Sequence, residues 1–150
     1  MKKLITFVLL SVSALLASSI EIKDAYVRAT PPGLENSAAF MTIENTTSKD
    51  IAIVKITSLS AKAVELHTHD MTNGIMRMYQ VPRIVVSQNS EIVLQPSGYH
   101  VMFIGLFNPL KIGETVTFTL ELSNGETKTV IAPIKSVMGG MMNDHMNHNH

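Results

Sequence analysis

Imidazole and thioether side chains lie close together in two stretches of the sequence, VELHTHDMTNGIMRMYQV at 64–81 and GYHVMFIGL at 98–106. The apolar and β-branched residues of both stretches favour β-strands, and the Asn-Gly pair in the first indicates a hairpin turn. Because successive side chains of a strand point to opposite faces, the alternation predicts three same-face pairs: His67 with His69, Met76 with Met78, and His100 with Met102. Three strand segments therefore each present nitrogen or sulfur ligand atoms on one face.

The donor types indicate which ion such a face would bind. Thioether sulfur is a soft, neutral ligand that suits Cu(I), whereas Ca²⁺ and Mg²⁺ prefer oxygen, and structural zinc prefers thiolates or several imidazoles. A single methionine on a strand is usually core filler, as we expect for Met41, and a single histidine is usually a solvated surface residue. The recurrence of both donors in three strand segments is what favours a Cu(I) site.

The register of the predicted hairpin decides which donors face each other, and the sequence leaves two registers open. A four-residue loop would place His67 opposite Met78 and His69 opposite Met76, whereas a two-residue Asn-Gly turn would place His69 opposite Met78. Side chains directly opposite each other have Cβ atoms about 4.5–5.5 Å apart, which is close enough for one small ion to contact both tips. Either register gives a mixed imidazole and thioether face.

The first residues, MKKLITFVLLSVSALLASS, have the pattern of a secretory signal peptide, with Lys2 and Lys3 before a short apolar run. We expect cleavage after Ala17 or Ser19, so residues 1–19 form the signal peptide. The apolar run is too short to span a bilayer, and no cysteine follows it for lipid attachment. The sequence therefore predicts an exported, soluble protein without membrane insertion, located in a bacterial periplasm.

Charge and composition exclude several function classes. The chain has twelve Lys and Arg and twelve Asp and Glu residues, and a chain with no basic surplus does not attract nucleic acid. It has no cysteine, which removes thiol nucleophiles, thiolate zinc sites, dithiol redox chemistry and a blue-copper centre. It also lacks the His-Glu-x-x-His and Gly-x-Ser-x-Gly motifs of metalloproteases and serine hydrolases, so we do not expect an enzyme.

The elements that must position these ligands are short strands separated by turn signals, which predicts an all-β protein. An antiparallel β-sandwich with Greek-key connections fits this pattern. We expect residues 20–137 to form one domain, since they are too few for two, and residues 138–150 to form a flexible tail rich in Met and His. We expect a monomer. The predicted strands are 21–28, 38–44, 51–58, 63–69, 75–81, 90–94, 100–105, 115–122 and 127–134.

The spacing of the candidate ligands resembles the signature of the PCuAC family of periplasmic copper chaperones: a His, ten residues, a Met, twenty-one residues, then His-x-Met. Ten residues separate His67 from Met78, twenty-one separate Met78 from His100, and Met102 completes the pattern. Stretches such as DAYVRATPPG, SAAFMTIEN and LQPSGYHVMFIGL are also similar to the family. The chain departs from it at Thr68, where some members have a methionine.

The resemblance implies a cupredoxin-like β-sandwich that binds one Cu(I) through His67, Met78, His100 and Met102. Its function would be to deliver copper to an acceptor, either the CuA centre of a cytochrome c oxidase subunit or another copper chaperone. His69 and Met76 are further candidates, either as ligands or as residues that support the ligands. In the tail, methionines suit Cu(I) and histidines suit Cu(II), and the candidates there are Met141, Met142, His145, Met146, His148 and His150.

Two other functions fit the same sequence. A copper-storage or resistance protein would differ from a chaperone in how many ions it binds and in whether an acceptor can take them. A metal-free β-sandwich that serves as an interaction module would show no change in thermal stability when copper is added, because only a ligand that binds the folded state raises the melting temperature.

Overall fold

The computed structural model describes residues 18–136, which form ten β-strands and no helix. The nine predicted strands are confirmed, with ends that differ by up to three residues. The additional strand, β6, has only three residues and follows a proline, so it gives little signal in the sequence. The strands are β1 Ile20–Arg28, β2 Asn36–Asn45, β3 Ile51–Thr57, β4 Ala61–Thr72, β5 Ile75–Gln80, β6 Ile84–Val86, β7 Ser90–Leu94, β8 His100–Leu106, β9 Thr115–Leu122 and β10 Thr127–Lys135.

The strands form two sheets that are joined at one edge. The first has the order β5-β4-β8-β2-β1, with β7 paired to the second half of β2, and the second has the order β10-β9-β3-β6. The predicted antiparallel pairing is wrong at one place, because β1 and β10 pair in parallel, with Val27 opposite Ile134. These two strands lie at opposite ends of the described chain, so no hairpin fixes their relative direction.

The core lies between the two sheets and explains the alternation seen in the sequence. In β8, Val101 and Phe103 are fully buried and point into the core, and Phe103 contacts Phe118 of β9 edge-on at 5.8 Å between ring centroids. Met41 is also buried there, as predicted. Since burial of the odd-numbered residues of β8 fixes its orientation, His100 and Met102 must lie on the outer face of the first sheet.

The candidate ligands lie on three adjacent strands, with β4 in the centre between β5 and β8. The long strand β2 pairs with β8 through its first half and with β7 through its second half. The loop between β7 and β8 therefore lies beside the outer face, next to His100. Within residues 18–136 there is no helix long and apolar enough to cross a membrane.

Candidate metal site

The β4–β5 hairpin has the two-residue turn, one of the two registers that the sequence left open. His69 lies directly opposite Met78, and the turn is formed by Asn73 and Gly74. Both turn residues have positive φ angles, 53° and 74°, as a type I′ hairpin turn requires, and Asn-Gly is a preferred pair for it. The conformational preference of the turn residues therefore sets which donors face each other across this hairpin.

Pairing on the other side of β4 brings in the second ligand strand. His67 lies directly opposite His100 of β8, and Glu65 lies opposite Met102. His67 is diagonal to Met78, since its direct partner on β5 is Gln80. The outer face therefore brings the four residues of the spacing pattern together from three strands: His67, Met78, His100 and Met102.

His100 is held in one orientation. Its side chain is on the outer face, yet the residue is only 3% exposed. Nδ1 donates a hydrogen bond to the carbonyl oxygen of Gly98, at 3.0 Å, and Nε2 lies 3.3 Å from Sδ of Met78. Because the hydrogen bond fixes the proton on Nδ1, Nε2 of the neutral ring has a free lone pair. An imidazole nitrogen and a thioether sulfur, both able to bind a soft cation, thus face each other.

His67 and His69 each have a buried nitrogen without a hydrogen-bond partner. Nε2 of His67 lies 2.7 Å from the Glu65 carboxylate, and Nδ1 is buried and unpartnered; Nδ1 of His69 is likewise buried and unpartnered. Buried polar atoms in native proteins are nearly always satisfied, and an ion bound beside these nitrogens would satisfy them. A carboxylate that holds one ring nitrogen while the other binds a metal is a common arrangement. The histidines therefore fit a metal ion.

An open groove of about 520 Å³ gives access to the site from solvent, and four of the predicted ligand residues line it: His69, Met78, His100 and Met102. Its floor is aromatic, since Phe40 lies 6.2 Å from the His100 ring between ring centroids. The guanidinium of Arg28 stacks on Phe40, 4.8 Å from the ring centroid. A cationic and an aromatic side chain therefore line the groove together with imidazole and thioether groups.

Burial lowers the pKa of His100 below its usual 6.5, and the nearby His69, His67 and Arg28 lower it further, against the opposing effect of the Gly98 hydrogen bond. We expect a ring pKa below 6.5 in an NMR titration of the copper-free chain. Because the unfolded chain then binds a proton more readily, the free energy of unfolding should fall as the pH decreases from 6.5 through the folded pKa. A His100→Gln variant should lose this part of the pH dependence, and an unchanged slope would contradict the assignment.

The remaining predicted residues lie elsewhere. Met76 is opposite Met71 near the hairpin turn, is 52% exposed, and does not line the groove. The tail candidates and the predicted signal peptide are outside residues 18–136, apart from Ser18 and Ser19. Within that described range, no group of three or more His, Cys, Asp or Glu side chains is arranged to hold a metal ion.

Sequence reasoning missed three contributors to the site. Glu65 was not assigned a role, although the two-residue spacing of a carboxylate and an imidazole on one strand is a signal for such a pair. Phe40 and the carbonyl of Gly98 gave no signal, because β2 and the β7–β8 loop reach His100 only through the folding of the sheet.

These features define a cupredoxin-like β-sandwich with imidazole and thioether donors on the outer face of one sheet. The chain belongs to the LpqE-like family, since the family model described as "Putative lipoprotein LpqE-like" matches residues 20–134. One relative is "Putative lipoprotein Lxx21020" of Leifsonia xyli subsp. xyli, 32% identical over 85% of this chain and 76% of the relative.

Solved structures have the same fold. The chain is similar to apo-DR1885 from Deinococcus radiodurans, with a TM-score of 0.63 and 32% identity, over 91% of both chains. The chain is also similar to the Cu(I) form of DR1885, with a TM-score of 0.61 and 32% identity. The match covers 85% of this chain and 86% of that chain. The copper-bound PCuAC domain of PmoF2 gives a TM-score of 0.68 at 18% identity, over 79% of this chain and 94% of that domain. At 18% identity this last similarity shows the fold alone.

Proposed function

We propose that this protein is a Cu(I) metallochaperone of the PCuAC type, which binds one ion through His67, Met78, His100 and Met102. The observation that carries the proposal is the 3.3 Å approach of His100 Nε2 to Met78 Sδ beside an open groove. The solved Cu(I) form of DR1885, 32% identical to this chain, supports it. The buried, unpartnered Nδ1 of His67 provides a further nitrogen for the ion.

The donor set favours Cu(I) over other ions. Two imidazoles and two thioethers are neutral and soft, which suits a monovalent soft cation and not Ca²⁺ or Mg²⁺. The chain has no cysteine, so the ion lacks the stabilisation of a thiolate. Transfer to an acceptor with thiolate ligands is therefore downhill, which is the property that a carrier needs and an enzyme with a resident metal does not.

The proposed setting is the bacterial periplasm, reached through a signal peptide at residues 1–19, and the proposed client is the CuA centre of cytochrome c oxidase. Another copper chaperone is the alternative acceptor. We further propose that the tail histidines His145, His148 and His150 bind Cu(II), and that the tail methionines Met141, Met142 and Met146 bind Cu(I). These residues would collect copper before it reaches the strand site.

The test is transfer of copper from the loaded chain to a separately purified apo-CuA domain under reducing, anaerobic conditions. A chaperone should release one Cu(I) to the acceptor and retain none at the strand site after separation of the two proteins. A storage or resistance protein would bind several ions and keep them in the presence of the acceptor. A metal-free interaction module would bind no Cu(I), and its melting temperature would not change when Cu(I) is added.

Glu65 is expected to act as a positioning residue for His67. Its carboxylate accepts the hydrogen bond from Nε2, which leaves Nδ1 unprotonated and free to bind copper. A Glu65→Ala variant should lower Cu(I) affinity by about tenfold, the lower end for loss of a group that supports a metal ligand. NMR should show His67 in a mixture of tautomers in this variant. Glu65→Gln keeps an acceptor oxygen and should recover most of the affinity; equal affinity in all three proteins would contradict the role.

A further inference from the structure

His69 occupies a place at the groove that the spacing pattern gives to no ligand. It lies directly opposite Met78, and its ring centroid is 5.1 Å from that of His100, compared with 5.8 Å for His67. It lines the groove together with Met78, His100 and Met102, whereas His67 does not. Its Nδ1 is buried without a hydrogen-bond partner. His69 is therefore the imidazole on the solvent side of the other three donors.

His67 lies on the same face of β4 but does not line the groove. Its side chain is only 12% exposed, and Glu65 holds its Nε2. Two imidazoles thus compete for the position beside His100. No three His, Cys, Asp or Glu side chains among residues 18–136 are arranged to bind one metal. This favours His67 and His69 as alternative partners of one ion and not as simultaneous ligands.

We propose that His69 is a second copper ligand, which replaces His67 when the ion moves into the groove for release. The inference rests on the proposed Cu(I) site. In this step the bond from copper to the His67 nitrogen breaks and a bond to the His69 nitrogen forms, while His100, Met78 and Met102 keep hold of the ion. Copper remains Cu(I), because the step exchanges one neutral imidazole ligand for another.

The release step follows from the position of His69. An acceptor that docks at the groove meets the ion on the side that His69 lines, whereas His67 does not line the groove. A sequence of ligand exchanges has a lower barrier than loss of several ligands at once, because the ion is never left with too few donors. His69 therefore contributes mainly to the rate of release, and His67 mainly to the affinity.

The experiment uses the full-length chain in which the tail donors are replaced, so that they do not bind the added copper. This tail variant carries His→Asn at His145, His148 and His150, and Met→Leu at Met138, Met141, Met142 and Met146. His67→Gln, His69→Gln and the double substitution are made in this background, because glutamine keeps the size and polarity of the side chain but offers a hard oxygen to Cu(I). Melting temperatures verify that each copper-free variant is folded.

Cu(I) is titrated anaerobically against a bidentate Cu(I) chelator, and the rate of transfer to excess chelator is followed by absorbance. We expect His67→Gln to keep one copper with roughly 10–100-fold lower affinity, the range measured for supporting metal-site residues, and the double variant to bind none. His69→Gln should bind with an affinity similar to that of its parent but release copper several-fold more slowly.

Two results would overturn the role of His69 while leaving the proposed Cu(I) site intact. One is that His67→Gln alone binds copper as weakly as the double variant, and the other is that His69→Gln releases copper at the parent's rate. Absence of Cu(I) binding by the parent tail variant would instead overturn the strand site, and with it both proposals.

Discussion

Replacing Met78 and Met102 together by leucine is expected to lower Cu(I) affinity by at least about 100-fold, the upper end for loss of groups that only support a metal ligand. Both methionines line the groove, and Sδ of Met78 lies 3.3 Å from Nε2 of His100. Without them, two neutral imidazoles remain, which give an incomplete site for a soft ion. Leucine conserves volume, so the copper-free variant should retain its fold.

The matched control removes two methionines from the same hairpin. Met71 and Met76 face each other near the turn, are 64% and 52% exposed, and do not line the groove. Their joint replacement by leucine should leave the affinity of the strand site unchanged, as measured by competition with a Cu(I) chelator in the tail variant. If the two double variants lose affinity equally, the loss is not specific to the groove, which would contradict the assignment of Met78 and Met102 as ligands.

The largest expected effect on stability is that of Phe103→Ala. Phe103 is fully buried on the core side of β8 and contacts Phe118 of the other sheet edge-on. Loss of a buried phenylalanine side chain lowers the free energy of unfolding by about 3–5 kcal/mol, through lost burial and the cavity left behind. Urea denaturation of the copper-free chain measures it.

Phe107→Ala is the control for that change. Phe107 follows β8 directly and is 58% exposed, so its removal should alter the free energy of unfolding by no more than about 0.5 kcal/mol. Equal losses for the two variants would mean that the sandwich core does not depend on the contact between Phe103 and Phe118. A selective loss for Phe103→Ala would show that this core contact stabilises the sandwich on whose outer face His100 and Met102 lie.

Much of the fold could be predicted because local signals agree with the tertiary structure. Alternation in β8 placed Val101 and Phe103 on one face and His100 and Met102 on the other, and burial of the first pair confirms that assignment. The parallel pairing of β1 and β10 could not be predicted, since it joins residues about a hundred positions apart. Strand β6 is too short for its alternation to be distinguished from a loop.

The candidate site was predictable in its composition but not in its arrangement. The donor residues are visible in the sequence, but the sequence left two hairpin registers open, and the structure has the one that places His69 opposite Met78. The burial and orientation of the His100 ring depend on its contacts with Phe40 and with the β7–β8 loop, which the sequence does not reveal. The unequal surroundings of His67 and His69 arise from Glu65 and the groove, and only the folded chain shows them.

The central claim is that one Cu(I) is bound on this face by both imidazole and thioether groups. X-ray absorption at the copper K edge, on the full-length tail variant loaded anaerobically with one equivalent of Cu(I), measures the ligand types directly. We predict scattering from two sulfur atoms together with imidazole nitrogens, and loss of the sulfur contribution when Met78 and Met102 are replaced by leucine. A first coordination shell of nitrogen and oxygen alone, or a sulfur contribution that survives those substitutions, would contradict the site.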